Sequence, residues 1–307
     1  MQRYYYSDKG FVESADWSKG DWIDVECPDE SDRRFLIDKL GVPEMFLEYL
    51  GDIDERPRIE REGEWQMAIV RIPVESDDKG APFTTVPLGI ISNPSGVLLT
   101  LCYHPNAMIP DFVDHTRRKQ IKIEHLANFV LRIIYSTAFW YLKYLKMLTN
   151  DVTGAEKHLE RSIRNDDLIW LMHLQRSLVF FSTGIKGNIT LLDRLQRIYG
   201  NQIDPELMED VEIELKQADT TVDIYTDILE GTMDSFASII SNNVNGIMKR
   251  MTGLSIILMV PTFIASLYGM NVDILIGGSR YAFWIILLLA FILTALAFLL
   301  LRHMKWV

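Results

Sequence analysis

Polar and small side chains recur in steps of four and three along the last third of the chain: Asp227, Gly231, Asp234, Ser238, Ser241, Asn245, Met248, Thr252, Ser255, Met259, Thr262, Ser266 and Gly269. A repeat of about 3.5 residues keeps such a seam on one side of a helix that coils gently around its partners. Carboxylate, amide and hydroxyl oxygens are the ligands that hard cations take, and rings of apolar side chains can gate an aqueous path by dewetting. Inside an apolar segment, polar groups avoid acyl chains and face a partner or a water-filled cavity. The competing reading is helix packing, in which Ser, Thr and Gly only let backbones approach closely. This seam runs through the whole apolar segment and continues an acidic stripe before it, which favours a cation path.

One long helix over residues 204–271 must carry the seam. Asp204 is a good N-cap, Pro205 suits the first helical position, and no comparable stop follows until Gly269. Its 68 residues would reach on the order of 100 Å, against the ~30 Å of a hydrocarbon core, so most of the helix must stand outside the membrane. Residues 251–268 form a first candidate span, with Pro261 inside it, and residues 281–301 a second without any charge. Lys249 and Arg250 precede the first; Arg302, His303 and Lys305 lie in the basic tail, 302–307. The positive-inside rule then puts both termini in the cytoplasm and the loop 272–280 outside.

The remainder reads as an α/β cytoplasmic domain, 1–105, followed by a helical layer, 106–203. Helical spacing covers 33–40 and 44–50, and branched residues mark strands at 65–73, 84–92 and 96–103. Two long helices follow, 121–148 and 166–199, with a break expected near 150–154 where Asn, Asp and Gly gather. They should pack beside the long helix as an antiparallel layer. The run Ala138-Phe139-Trp140-Tyr141 is assigned to core packing.

Composition excludes several classes. With 31 basic and 42 acidic residues, net −11, nucleic acid is a poor partner. Between 204 and 234 there are eleven carboxylates and one base, Lys216; most belong to a solvated face, while Asp227 and Asp234 share the seam. Cys27 and Cys102 show neither metal-ligand nor disulfide spacing. The six histidines lack i, i+4 pairing, so none is taken as a ligand. No cleavable signal, phosphate-binding loop or nucleophile elbow is visible, and no enzymatic activity is expected.

Gly269-Met270-Asn271 ends the first apolar span, a second span follows, and the preceding runs are Asn245-Gly246-Ile247-Met248-Lys249-Arg250-Met251-Thr252 and Met259-Val260-Pro261-Thr262. In these features the chain resembles the CorA family of divalent-cation channels. The resemblance implies an α/β cytoplasmic domain plus a long stalk helix continuing into an α-helical membrane domain with two C-terminal transmembrane helices. It implies a homopentamer in the inner (plasma) membrane of a prokaryote, taking up Mg²⁺. Gly269, Met270 and Asn271 would form the selectivity ring. Asn245, Met248, Thr252, Ser255, Met259, Thr262 and Ser266 would line the pore. Asp234, with Asp210 and Asp227, would bind a regulatory Mg²⁺ that holds the closed state.

The outer loop departs from the family pattern. Many members continue Met-Pro-Glu-Leu, whereas this chain reads Val272-Asp273-Ile274-Leu275-Ile276-Gly277-Gly278. Zn²⁺, Co²⁺ or Ni²⁺ transport of the ZntB-like branch therefore stays open beside Mg²⁺. A non-conducting membrane-anchored scaffold is the third reading, and it leaves the polar seam unexplained.

Overall fold

The computed structural model describes residues 1–18, 21–76, 80–121, 123, 125–161, 165–270, 280–304 and 306. The chain divides into two compact units, Met1–Thr232 and Met233–Val307. In the first, strands β1 (Gln2–Ser7), β2 (Phe11–Ser14), β3 (Trp22–Glu26), β4 (Arg58–Glu62), β5 (Trp65–Glu75), β6 (Phe83–Ser92) and β7 (Leu98–Cys102) form one sheet. Its order is β2-β1-β3-β7-β6-β5-β4. Among the described residues only β3 and β7 pair in parallel; the other ladders are antiparallel.

Helices cover both faces, which explains why β5 and β6 read as nearly unbroken apolar runs. Met67, Ile69 and Ile91 join Leu36, Phe46, Leu47 and Leu50 in one buried cluster, contributed by α1 (Glu30–Arg34), the π-helical turn Phe35–Lys39 and α2 (Glu44–Gly51). Alternate residues, Ala68 and Ile90, meet Val130 and Leu195 of α4 (Leu126–Arg161) and α5 (Asn165–Tyr199). A further helix, α3 (Met108–Lys119), precedes them; Gln120 ends it in the left-handed conformation, φ 53°, donating to Arg117 and Thr116 carbonyls. Thus Ile121 is not helical and the long helix starts at Leu126.

One expectation is corrected. The break near 150–154 does not occur, because α4 continues to Arg161. Leu148 and Val152 are buried, and the Thr149 and Thr153 hydroxyls fold back onto the carbonyls of Leu145 and Thr149 at 2.9 and 3.0 Å. Packing along one face outweighs the weak local preference of Asn150, Asp151 and Gly154 for a turn. The α4 and α5 layer rests on the sheet, against β5 and β6, and the long helix lies beside it, with Val211, Leu215, Ala218 and Val222 buried and Asp219 and Asp223 facing Lys186 of α5.

That docking depends on a gap in the ladder. Arg71 of β5 lies opposite Pro87 of β6, and proline has no N–H to give. Buried Asn188 of α5 fills the gap: its Nδ2 donates to the Arg71 carbonyl at 2.8 Å, and its Oδ1 accepts from the Arg71 N–H at 2.9 Å. Tyr141 of α4 adds its hydroxyl at 3.1 Å. The approach is close enough that a Cβ on Gly184 would stand 2.3 Å from the Tyr141 hydroxyl. The aromatic run at 138–141 is core as expected at Ala138, Trp140 and Tyr141, while Phe139 is exposed.

The sheet also buries an acid. Asp24 accepts from the Thr100 hydroxyl at 2.8 Å, which itself accepts from Trp22 Nε1 at 2.9 Å. Arg3 stands 3.7 Å away. Burial pushes Asp24 up to about 6, against the pull of Thr100 and Arg3. A folded-state pKa above the unfolded value near 3.8 means that the protonated acid favours folding. This stability is complete below pH ~4 and is lost as pH rises through about 6. Relative to Asp24→Asn, the wild type should therefore gain about 3 kcal/mol as pH falls from about 7.5 to 4, read from denaturation of the two proteins. Parallel pH profiles would contradict the assignment.

Candidate ion-conduction seam

Helix α6 runs from Pro205 to Tyr268. Its start is set by Asp204, whose carboxylate accepts from the Glu206 N–H at 3.1 Å and whose carbonyl accepts from Met208 at 3.0 Å. Its end falls at Gly269, whose N–H is shared between the Ala265 and Ser266 carbonyls at 3.0 and 3.2 Å. Such sharing tightens the final turn. A Cβ at Gly269 would lie 3.3 Å from the Ala265 oxygen, so the small residue suits the exit. Gly269 and Met270 are exposed; Asn271 and the loop 272–279, with Asp273, lie outside the described residues.

In the unit Met233–Val307 the seam is unobstructed. Asn245, Met248, Thr252, Ser255, Met259, Thr262 and Ser266 are all exposed. Gly253 and Ile264 are buried, with Gly246, Ile257, Val260 and Tyr268 partly covered. At about 100° per residue this covered stripe falls on the opposite side of the helix from the seam. Within the same unit, α7 (Ala282–His303) is partly or fully covered only at Ala282, Ile286, Ala290, Thr294, Ala297 and Leu301. Between Phe283 and Leu300 its exposed residues are all Phe, Trp, Ile, Leu or Ala. The two apolar helices thus differ: between Phe283 and Leu300 the exposed surface of α7 is wholly apolar, whereas α6 exposes the polar seam together with Leu254, Leu258, Phe263 and Leu267.

The seam hydroxyls are oriented by their own helix. Ser255 and Thr262 donate to the Met251 and Leu258 carbonyls, each at 2.9 Å. With their protons so used, the oxygens present lone pairs outward. That is acceptor chemistry, suited to a cation or to the water protons around one.

The acids of α6 divide into paired and unpaired. Lys186 of α5 stands 3.9 Å from Asp219 and 3.6 Å from Asp223, which removes both from the free acidic face. Sequence could hint at this only through the i, i+4 spacing of the two aspartates, since Lys186 comes from another helix. Exposed Asp210 lies near Arg132 and Tyr135 of α4, and its charge opposes the fall that burial imposes on the Arg132 pKa. Asp227 and Asp234 are exposed and join none of the ion pairs among the described residues. No group of three or more His, Cys, Asp or Glu able to hold a metal occurs among the described residues, so one chain does not gather Asp210, Asp227 and Asp234 into a site.

A sheet domain, a 64-residue helix and a second apolar helix, with a polar seam facing away from the covered stripe, form the architecture of a membrane transport protein. The sequence matches the family described as "CorA-like Mg2+ transporter protein" over residues 17–303, and the chain belongs to that family. It is 25% identical over 293 residues to the cobalt/magnesium transport protein CorA of Methanocaldococcus jannaschii, covering 93% of this chain and 91% of that one. The protein of the same name from Thermotoga maritima is 29% identical over 136 residues, 43% of this chain and 39% of that one. Among solved structures, the complete CorA magnesium transporter of M. jannaschii superposes with a TM-score of 0.83 at 22% identity, covering 100% of this chain and 99% of that one. The ZntB cytoplasmic domain of Vibrio parahaemolyticus gives 0.58 at 14% identity, covering 80% and 98%, a likeness of fold alone.

If the seam faces water, cysteines at Ser255 and Thr262, in a background without Cys27 and Cys102, should react rapidly with a charged methanethiosulfonate in membranes. A cysteine at Leu296 on α7 should react slowly. Equal rates at the three positions would remove the distinction between the two faces.

Proposed function

We propose that this chain forms a homo-oligomeric channel for divalent cations, taking up Mg²⁺ first and Co²⁺ second, with the α6 seams lining the path. The observation that carries this reading is the exposed polar seam, uninterrupted through the apolar span and turned away from the covered stripe. Two spans cannot enclose water, so copies must surround an axis; five copies follow from the family. Both curated relatives are named for cobalt and magnesium, which favours these ions over Zn²⁺ and Ni²⁺. The membrane is the inner membrane of a prokaryote, with both termini cytoplasmic and 272–280 outside, as the flanking charges direct.

Within the pore, Gly269, Met270 and Asn271 form the outer selectivity ring. The Asn271 amide oxygen accepts from the waters of a hydrated cation, which suits an ion that dehydrates reluctantly. Met248 and Met259 form apolar constrictions able to close by dewetting. Flux into liposomes holding the purified protein, compared across Mg²⁺, Co²⁺, Ni²⁺ and Zn²⁺, tests the order of ions. Asn271→Ala is expected to abolish or severely reduce uptake with the oligomer intact. Normal uptake by a well-folded Asn271→Ala protein would remove the selectivity ring, and an absence of flux with every ion would favour the scaffold.

Regulation rests on the unpaired acids. Asp234 and Asp227, with Asp210, supply carboxylates that neighbouring chains can share around Mg²⁺. Bound metal relieves their repulsion and favours the closed state, provided its affinity differs between the two states. Asp234→Ala should therefore conduct at internal Mg²⁺ levels that shut the wild type, with ion preference unchanged. Superimposable curves of current against internal Mg²⁺ would mean that Asp234 only solvates the helix.

A further inference from the structure

Away from the seam, one cavity brings together a cation that lacks an acceptor and hydroxyls that lack partners. It lies between α3 and α4, has a volume of about 210 Å³, and its polar lining is Asp111, His115, Thr116, Arg132, Tyr135 and Ser136. Phe112, Ile121 and Phe139 supply apolar walls.

Arg132 is half-buried and makes no hydrogen bond or ion pair among the described residues. Asp204 and Asp210 act on it only through their charge. A guanidinium with no acceptor in the protein is available to a ligand, and the geometry of its fork suits a carboxylate. The hydroxyls beside it are equally uncommitted. Thr137, Thr149, Ser177 and Thr183 on α4 and α5 each fold back onto a carbonyl four residues earlier, and Thr116 bonds to the Val113 carbonyl. Ser136 and Tyr135 make no such bond among the described residues. Asp111 sets the limit on charge: its Oδ2 accepts from Trp140 Nε1 at 3.1 Å, and its negative charge stays at the cavity wall. A doubly charged anion would meet that repulsion, whereas a singly charged one is balanced by Arg132.

We propose that this cavity binds a small organic monocarboxylate, its carboxylate held by Arg132, Ser136 and Tyr135 and its apolar part against Phe112, Ile121 and Phe139. The occupant completes the hydrogen bonding that the fold leaves open. It also shares Arg132 with the first turns of α6, where Asp204 and Asp210 stand, so binding bears on the charge balance at the start of that helix.

Calorimetric titration of the full chain in detergent tests this with benzoate, its neutral isostere benzamide, and acetate. Benzoate is expected to bind, with benzamide and acetate each at least about tenfold weaker, because one lacks the charge and the other the apolar part. Arg132→Gln should abolish benzoate binding, and Ser136→Ala should weaken it. Asp111→Asn should tighten it, since the like charge is removed while an amide oxygen can still accept from Trp140. Should Arg132→Gln fail to fold, Ser136→Ala and Asp111→Asn decide. The proposal is overturned by no benzoate binding at millimolar concentration, by benzamide or acetate binding as tightly as benzoate, or by Asp111→Asn weakening the complex.

Discussion

A helix apolar enough to enter a bilayer yet polar along one side cannot be satisfied by lipid all round. That conflict sits in α6 between Met251 and Gly269, and the rest of the molecule can be understood as living with it. The buried Gly253 and Ile264 occupy the side of the helix away from the seam, while Leu254, Leu258, Phe263 and Leu267 are exposed as the seam is. The polar part is left for water or for other copies of the same helix, the two environments in which hydroxyl and amide groups keep their hydrogen bonds.

The α/β unit answers a different problem, that of anchoring two long helices on a sheet without leaving backbone groups unpaired. Pro87 interrupts the β5–β6 ladder at Arg71, and Asn188 and Tyr141 repair it from α5 and α4. The same contacts that satisfy the Arg71 peptide therefore fix the helical layer on the sheet. Lys186 lies two residues before Asn188 and faces Asp219 and Asp223 of α6, so the chain of contacts runs from a strand, through α5, to the acidic part of the long helix. The ion pairs are partly exposed and individually weak; their importance is positional.

The paired and unpaired acids also separate roles that composition blends. The acidic run of 204–234 looks uniform in sequence, but one carboxylate caps a helix, two face a lysine, one lies near an arginine, and Asp227 and Asp234 remain solvated. Asp227 and Asp234 are thus acids of this run that no cation among the described residues already engages.

Much of this was legible in the sequence because it depends on local or one-dimensional patterns. The start of α6 at Asp204-Pro205, its end at Gly269, the second apolar helix and the seam follow from capping and periodicity, which need no knowledge of neighbours. The resemblance to the family followed from Gly269-Met270-Asn271 placed after the first apolar span and before the second. Tertiary structure decided the rest. Strands β1 to β4 were not read from the sequence, since Arg58–Glu62 alternates charges with a single buried Ile59 and β1 is mostly polar and aromatic; their pairing partners define them. The continuation of α4 through 150–154 depends on Leu148 and Val152 finding a buried surface. The pairing of Lys186 with Asp219 and Asp223, the burial of Asp24, and the uncommitted guanidinium of Arg132 all join residues distant in sequence, and no spacing rule along one chain encodes which side chains will face each other across a fold.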